Sequence, residues 1–483
     1  MADFHTLLTH RPMTSWIHHP EAERFDEWFD AAQQRLLQLA GSHQRVVLSD
    51  RHPVKFLARL AAIHVNDHVA FLCNPDWADR EWQQVQEIVQ PQAVLGNVPQ
   101  VVAAAVSPPD IALPVNAHLA PICIPTGGTS GQLKFACHTW TTLTAAAVAL
   151  QQHLGESTPL NSFCLLPLFH VSGLMQFVRS LVTGGQLFLS QSKPFLTGDY
   201  LAVSPDNWCL SLVPTQLKRA IASPQIATWL MDCRAIFLGG APAWPSLLDE
   251  ARKLRLPVAP AYGATETAAQ VATLSAQSFL AGVQDCTDPL PHVSIGILDD
   301  LGGLLPVDRV GQIAIQSPSL ALGYVPASQA LSSTPAGWIP DDIGFLDANG
   351  RLHVLGRSSD TIVTGGENVF PAEVEAAIRD TQLVEDVAVV GIPDEEWGEV
   401  VTALCVLSIP ASSTIPEANS GSLAQIATRL STRLARYKHP KRWALVEALP
   451  RNRRGKVDRP QLRHLADQTV ALGMEKTQWS SGR

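Results

Sequence analysis

The eight cysteines of this 483-residue chain include no CxxC pair, and most stand in apolar stretches such as Phe163-Cys164-Leu165. They read as buried free thiols, which fits a reducing, cytosolic compartment. Charge is scarce too: 16% of residues are charged and the formal net charge is −9, which argues against wholesale nucleic-acid binding. No apolar run reaches the length of a bilayer span, and the N-terminus lacks the basic stretch and apolar core of a signal peptide. A cytoplasmic protein without membrane insertion is therefore expected. The GxxxxGK[ST] loop is missing, and with it the main support for a nucleotide switch or motor. The chain has no internal repeat and no long low-complexity tract.

What is present is the composition of a globular enzyme, with 46% hydrophobic residues, in a chain too long for one compact domain. Up to about residue 350, apolar runs alternate with amphipathic stretches. Arg45–Ser49, His68–Cys73 and Ala93–Leu95 read as strands, and Pro53–Ile63 and Trp77–Val89 as helices. This βαβ rhythm predicts a largely parallel sheet covered by helices. It continues through Ser162–Leu166, Trp208–Val213, Ala235–Leu238 and Val258–Ala261. From Ile295 to Tyr324, short segments punctuated by Gly and Pro predict antiparallel strands. A boundary falls near Gly356–Asp360, dividing the chain into 1–356 and 357–483. The second part reads as a small α+β domain: a helix over Pro371–Asp380 with proline in its first turn, strands at Val387–Gly391 and Val400–Leu407, a loop over Ser408–Ser422, and a helix over Ala424–Tyr437. Residues 357–483 hold 16 basic and 16 acidic side chains, but residues 429–463 hold 12 and 2. That local excess calls for a polyanionic partner or for plain solvation.

Five segments carry chemistry. In Pro125–Lys134 (PTGGTSGQLK), Gly127, Gly128 and Gly131 let the backbone approach an anion, Thr126, Thr129 and Ser130 supply hydroxyls, and Lys134 supplies a cation. An ordinary Gly/Ser turn is the alternative. In Ala261–Thr267 (AYGATET), Glu266 follows a strand and is placed to hold Mg²⁺ beside phosphate oxygens, with Tyr262 offering a flat face to a base; a helix start capped by Thr265 is the alternative. Asp342 and Arg357 flank a strand pair and suit ribose hydroxyls, or else belong to an acidic hairpin. Gly365-Gly366 precede Pro371, either as an unusual surface loop or as a turn before a helix. Finally, Pro450–Arg459 is a basic loop whose Lys456 is able to neutralise charge developing on a phosphate, or is merely solvated.

In this order the five segments resemble the acyl-adenylate-forming superfamily of acyl-CoA ligases, adenylation domains and luciferases, over about Arg45 to Arg463. The resemblance implies a large N-terminal domain of mostly parallel sheets and helices with a small antiparallel β subdomain, then a mobile α+β C-terminal domain. It implies ATP, Mg²⁺ and coenzyme A as cofactor and co-substrates, and a small-molecule carboxylic acid as partner. Thr126–Lys134 would wrap the ATP phosphates. Gly239, Gly240 and Ala241 would line the adenine, with Tyr262, Gly263 and Thr265 also at the nucleotide. Glu266 would hold Mg²⁺, Asp342 and Arg357 the ribose, and Ser358–Asp360 would be the hinge. Gly365 and Gly366 would face the CoA thiol path, and Lys456 would serve adenylation. The basic cluster, with Arg436, Lys438 and Lys441, would meet the CoA phosphates.

Two further segments resemble o-succinylbenzoate–CoA ligases of menaquinone and phylloquinone biosynthesis: Leu166–Met175 (LPLFHVSGLM), followed by Arg179, and Tyr262–Thr273. The substrate of those enzymes carries two carboxylates and a ring. Arg179 would pair with the carboxylate that does not react, with His170, Ser172, Gly240 and Thr267 also at the acid. A ligase for another aryl or medium-chain acid and a stand-alone adenylation module are the alternatives. A homo-oligomer is left open.

Overall fold

The computed structural model describes residues 6–7, 11–99, 102, 121–127, 132–155, 158–190, 195, 197–198, 203–283, 285–327, 331, 333–408, 416–451 and 457–471. The chain has an α/β fold in which two large sheets share a helical filling.

The first sheet has eight strands. Ile17–His18, Leu187–Leu189, Asn161–Cys164, Trp208–Leu212, Ala235–Leu238 and Val258–Ala264 run parallel, and Ala269–Thr273 and Asp288–Pro289 add an antiparallel edge. The second sheet has six. Ala93–Gly96, Arg45–Ser49, Val69–Leu72 and Ile122–Gly127 are parallel, followed by antiparallel Leu133–His138 and Gly323–Val325. The central strands are apolar because helices cover both faces; all five residues of Arg45–Ser49 are buried.

The helices Pro53–Val65, Trp140–His153 and Val171–Thr183 fill the space between the sheets, and Leu57, Leu143 and Leu174 are fully buried in one continuous core. Their ends follow local chemistry. Proline opens Pro53–Val65, and Thr139 accepts from the Thr142 N–H at the head of Trp140–His153. Gly184, at φ 79°, ends Val171–Thr183 in the left-handed region. Gly173, in that helix's first turn, faces the Pro167 carbonyl so closely that a Cβ would lie 2.2 Å from its oxygen.

Ser294–Leu298, Gly311–Gln316, Gly337–Trp338, Asp342–Leu346 and Leu352–Arg357 form an antiparallel sheet, as the punctuated sequence predicts. Beyond it, Glu367–Val369, Ile362–Thr364, Gly398–Leu407 and Val384–Asp394 pair antiparallel, and Arg442–Leu445 joins parallel to Gly398–Leu407. Helices Pro371–Arg379, Pro416–Leu430 and Arg459–Ala471 accompany this sheet.

Two boundaries differ from expectation here. The Ser408–Ser422 stretch is not all loop, because helix begins at Pro416, whose fixed φ suits a first helical turn. The helix expected to reach Tyr437 ends at Leu430, and Arg436–Lys438 forms a separate 3₁₀ turn. Ile426 and Leu430 are fully buried while Leu434 is only partly so, so the apolar stripe outlasts the helix. Among the described residues, no helix is long and apolar enough to cross a membrane.

Candidate active site

The strands Ile122–Gly127 and Leu133–His138 form a hairpin in which Thr126 and Lys134 stand directly opposite each other. They therefore bracket the glycine-rich segment of the sequence. Gly128, Thr129, Ser130 and Gly131 lie outside the described residues. The strand Val258–Ala264 of the other sheet ends at the mouth of this hairpin and turns through the 3₁₀ segment Thr265–Thr267. Glu266 is thereby buried, at 6% exposure, and its Oε1 accepts hydrogen bonds from Thr126 Oγ1 (3.3 Å) and Tyr324 Oη (2.8 Å). The Lys134 Nζ sits 3.8 Å from the centre of the Tyr324 ring. Burial lowers the Lys134 pKa and the Glu266 charge raises it. Burial pushes the Tyr324 phenol above its ordinary range, and Glu266 pushes it the same way; the hydroxyl stays a donor.

The turn that carries Glu266 is held from three sides. The His138 Nε2 meets the Thr265 carbonyl at 2.7 Å, and its Nδ1 meets Thr142 Oγ1 at 3.0 Å. Since Nε2 faces a carbonyl it carries the proton, and burial holds the ring neutral with its pKa lowered to about 4. The Ala321 N–H donates to the Glu266 carbonyl at 2.7 Å. The Thr267 hydroxyl accepts from the Ala264 N–H at 2.8 Å and is fully buried. Thr267, expected at the acid, thus caps the turn, and Thr265 does not cap it; the N-cap position is Ala264. Gly263 sits at a register shift, where a Cβ would meet the Ala269 carbonyl oxygen at 2.0 Å. No residue with a side chain fits there without moving Tyr262 or the turn.

A second group adjoins the first. Tyr262 Oη donates to Asp342 Oδ2 at 2.7 Å, and Arg357 Nε lies 3.7 Å from Asp342 Oδ1. Asp342 and Arg357 are register partners on adjacent strands. Burial raises the Asp342 pKa, opposed by the Tyr262 hydrogen bond and by Arg357. Gly239, Gly240 and Ala241 follow the parallel strand Ala235–Leu238; Gly240 takes φ 80° and a Cβ on Gly239 would stand 3.2 Å from the Ala261 carbonyl oxygen.

Arg179 lies on the helix Val171–Thr183 and is 3% exposed. Its Nε donates to the Met175 carbonyl at 3.1 Å, and its guanidinium lies 5.2 Å from the Phe237 ring centre. Burial lowers its pKa to about 10. No carboxylate among the described residues pairs with it. With Ala146, Leu150, Met175 and Ala268–Gln270 it lines a small pocket whose wall begins two residues after Glu266. His170 is the residue before this helix and packs edge-on against Phe169, while the Ser172 carbonyl accepts from Gln176 Nε2 at 3.0 Å.

Gly365 and Gly366, at φ 59° and 85°, form a tight hairpin turn in which Thr364 pairs with Glu367. A Cβ on Gly365 would press on the Trp397 ring. No hydrogen bond or ion pair among the described residues joins this turn to Glu266. Lys456 lies outside the described residues. Five of the twelve basic residues of 429–463 pair with acidic side chains within the fold. Arg433 pairs with Asp380, Arg442 with Asp394, Arg451 with Asp386 and Arg459 with Asp360. Lys438 reaches both Glu373 oxygens at 2.7 and 2.8 Å. Lys438 is thus committed to a neighbour, and Lys441 lies on the face of Trp397. Two groups escaped the sequence reading: Tyr324, on a three-residue strand from a distant part of the chain, and His138 as a brace. Neither lies in a motif whose spacing points to the site.

The donor set around Glu266 suits Mg²⁺. Glu266 Oε2 accepts no hydrogen bond from any described residue, the neighbouring atoms are hard hydroxyl oxygens, and no cluster of three or more His, Cys, Asp or Glu is present among the described residues. Mg²⁺ is commonly held in this way, by one or two carboxylates and the phosphates of its nucleotide.

Residues 31–325 match the family described as AMP-binding enzyme, and residues 373–456 match the AMP-binding enzyme C-terminal domain. The 2-succinylbenzoate–CoA ligase of Enterococcus faecalis (strain ATCC 700802 / V583) is 32% identical over 338 residues, 69% of this chain and 67% of that protein. The ligase of the same name from Geobacillus kaustophilus (strain HTA426) is 34% identical over 346 residues, 71% and 69% of the two chains. The solved structure of o-succinylbenzoate CoA synthetase (MenE) from Bacillus subtilis with the acyl-adenylate intermediate OSB-AMP superposes with a TM-score of 0.78 at 26% identity, covering 95% of this chain and 97% of that one. The same enzyme with ATP and magnesium ion gives 0.76, 26%, 95% and 98%. With a family match spanning most of the N-terminal two thirds and a second match following it, this chain belongs to the AMP-binding enzymes.

Proposed function

We propose that the chain is an AMP-forming acid–thiol ligase that joins o-succinylbenzoate to coenzyme A through an acyl-adenylate. The observation that carries the choice of acid is Arg179. A guanidinium buried without a carboxylate partner is costly unless a ligand supplies the opposite charge. It lines a pocket bounded by the residues that follow Glu266. A dicarboxylate with a ring suits the chemistry of this lining: Ala146, Leu150 and Met175 would meet the ring and Arg179 the remote carboxylate, with the reacting carboxylate directed to the nucleotide.

Thr126, residues 127–131 and Lys134 bind the triphosphate. Tyr262, Gly239, Gly240 and Ala241 receive the adenine, and Asp342 with Arg357 the ribose. Glu266 holds Mg²⁺, which when bound neutralises phosphate charge. In the first half-reaction the acid's carboxylate oxygen attacks the α-phosphorus in line, the bond to the bridging oxygen breaks and pyrophosphate leaves. The chain's part is positioning and charge stabilisation, to which Lys134 and Lys456 contribute cations. In the second, the CoA sulfur attacks the acyl carbon, and AMP departs with the bridging oxygen. Residues 1–356 and 357–483 act as two domains with Ser358–Asp360 as hinge; rotation there withdraws Lys456 and brings Gly365 and Gly366 to the thiol path. A place in quinone biosynthesis and a cytoplasmic location belong to the same reading, the latter supported by eight free, buried cysteines.

The test is pyrophosphate release with ATP, Mg²⁺, CoA and o-succinylbenzoate beside a panel of aryl and medium-chain acids. A strong preference for o-succinylbenzoate is expected. Turnover of another acid in preference would overturn the substrate but keep the adenylate chemistry; no release with any acid would overturn both.

A further inference from the structure

We infer that Tyr324 is a positioning residue that fixes which oxygen of Glu266 is offered to the metal and holds Lys134 off that carboxylate. The inference rests on the proposed role of Glu266 in holding Mg²⁺.

Tyr324 comes from far along the chain. Its strand Gly323–Val325 leaves the antiparallel sheet region and pairs with Leu133–His138, with Tyr324 opposite Ala136. The side chain is 6% exposed and lies between two charged groups. Its hydroxyl donates to Glu266 Oε1 at 2.8 Å, the oxygen that Thr126 also reaches at 3.3 Å. Its ring face carries Lys134 Nζ at 3.8 Å. The last torsion of a glutamate is broad and two-fold, so an unrestrained carboxylate presents either oxygen. Two donors on Oε1 remove that freedom and leave Oε2 for a cation. The ring has a separate effect. Lys134 and Glu266 make no ion pair within 4.0 Å, although the Glu266 charge acts on the lysine. A direct lysine–glutamate pair would satisfy both charges and compete with phosphate for the one and with Mg²⁺ for the other. A cation–π contact parks the ammonium without neutralising it.

The test measures Mn²⁺ binding by electron paramagnetic resonance on the full chain with α,β-methylene-ATP, which does not turn over at the α-phosphorus. Tyr324→Phe keeps the ring and removes the hydroxyl. Loss of an outer-sphere partner of this kind is expected to weaken Mn²⁺ binding roughly 10- to 100-fold, with metal-free analogue binding and the unfolding midpoint nearly unchanged. In a Glu266→Gln background the same substitution is expected to have no further effect on Mn²⁺. Unchanged Mn²⁺ affinity in Tyr324→Phe, alongside a clear loss in Glu266→Gln, overturns the inference and leaves Glu266 as the metal residue. Unchanged affinity in Glu266→Gln overturns the metal reading and the inference with it. Should Tyr324→Phe fail to fold, Tyr324→His, which retains a ring and a donor, is expected to bind Mn²⁺ more tightly than Tyr324→Leu; equal loss in both is the overturning result.

Discussion

Tyr262 and Asp342 stand 80 residues apart in the chain, yet the phenol donates to the carboxylate at 2.7 Å. The pairing joins the end of a parallel strand to the first residue of an antiparallel one, and it orients the carboxylate that is proposed to hold the ribose. Asp342→Ala is expected to raise the KM for ATP roughly 10- to 100-fold, the range for losing a hydrogen bond to a charged group, with the KM for the acid little changed. Tyr262→Phe is expected to have a smaller effect in the same direction. Steady-state kinetics with each substrate varied checks this; a rise confined to the acid would move both residues out of the nucleotide site.

Arg179→Met removes the guanidinium while roughly keeping its volume. The KM for o-succinylbenzoate is expected to rise by about tenfold or more, as for loss of a charge-assisted contact, while benzoate-like monoacids change little. An equal effect on both classes would show that Arg179 supports the helix and not the substrate.

His138 gives the fold a pH dependence of definite sign. Its pKa is about 4 in the fold and 6.5 as the ordinary value. Between those values the unfolded chain binds a proton that the folded one refuses, so stability is full above pH 6.5 and falls as pH drops towards 4. The total is about 3 kcal/mol by linkage. His292, held near about 4 by burial as well, acts in the same window. Denaturant titrations between pH 7.5 and 4.5 should therefore show a shallower loss for His138→Asn than for the unaltered chain; identical slopes would remove His138 as a source.

Lys456→Ala is expected to lose acyl-adenylate formation by orders of magnitude but still to transfer the acyl group from preformed adenylate to CoA. Single-turnover assays of the two halves decide. Equal loss in both would contradict the alternation of residues 357–483 between two poses.

Read along the chain, the basic cluster at 429–463 calls for a polyanion or for solvation; five of its twelve basic residues instead pair with Asp360, Glu373, Asp380, Asp386 and Asp394, which lie earlier in sequence and are brought to it by the fold. Arg436→Glu remains a direct probe of CoA binding, whereas Lys438→Glu also places two carboxylates face to face.

The sequence by itself determined the alternation of strand and helix, because buried parallel strands must be apolar throughout and their covering helices must be amphipathic. It determined the antiparallel stretch, because glycine and proline punctuation ends strands locally, and it set glycines between Thr126 and Lys134, where close backbone approach to an anion restricts residue type. It also placed Glu266, Asp342 and Arg357 among the residues worth watching. Only the tertiary structure decided that Gly323–Val325 would cross to another sheet and set Tyr324 on Glu266, or that His138 would brace the Thr265 carbonyl. It alone decided that Thr267 would spend its hydroxyl on its own turn and that Arg179 would be buried with no carboxylate partner among the described residues. Those are matters of which distant strands share a register, and register is fixed by the packing of whole sheets, not by the spacing of any one motif.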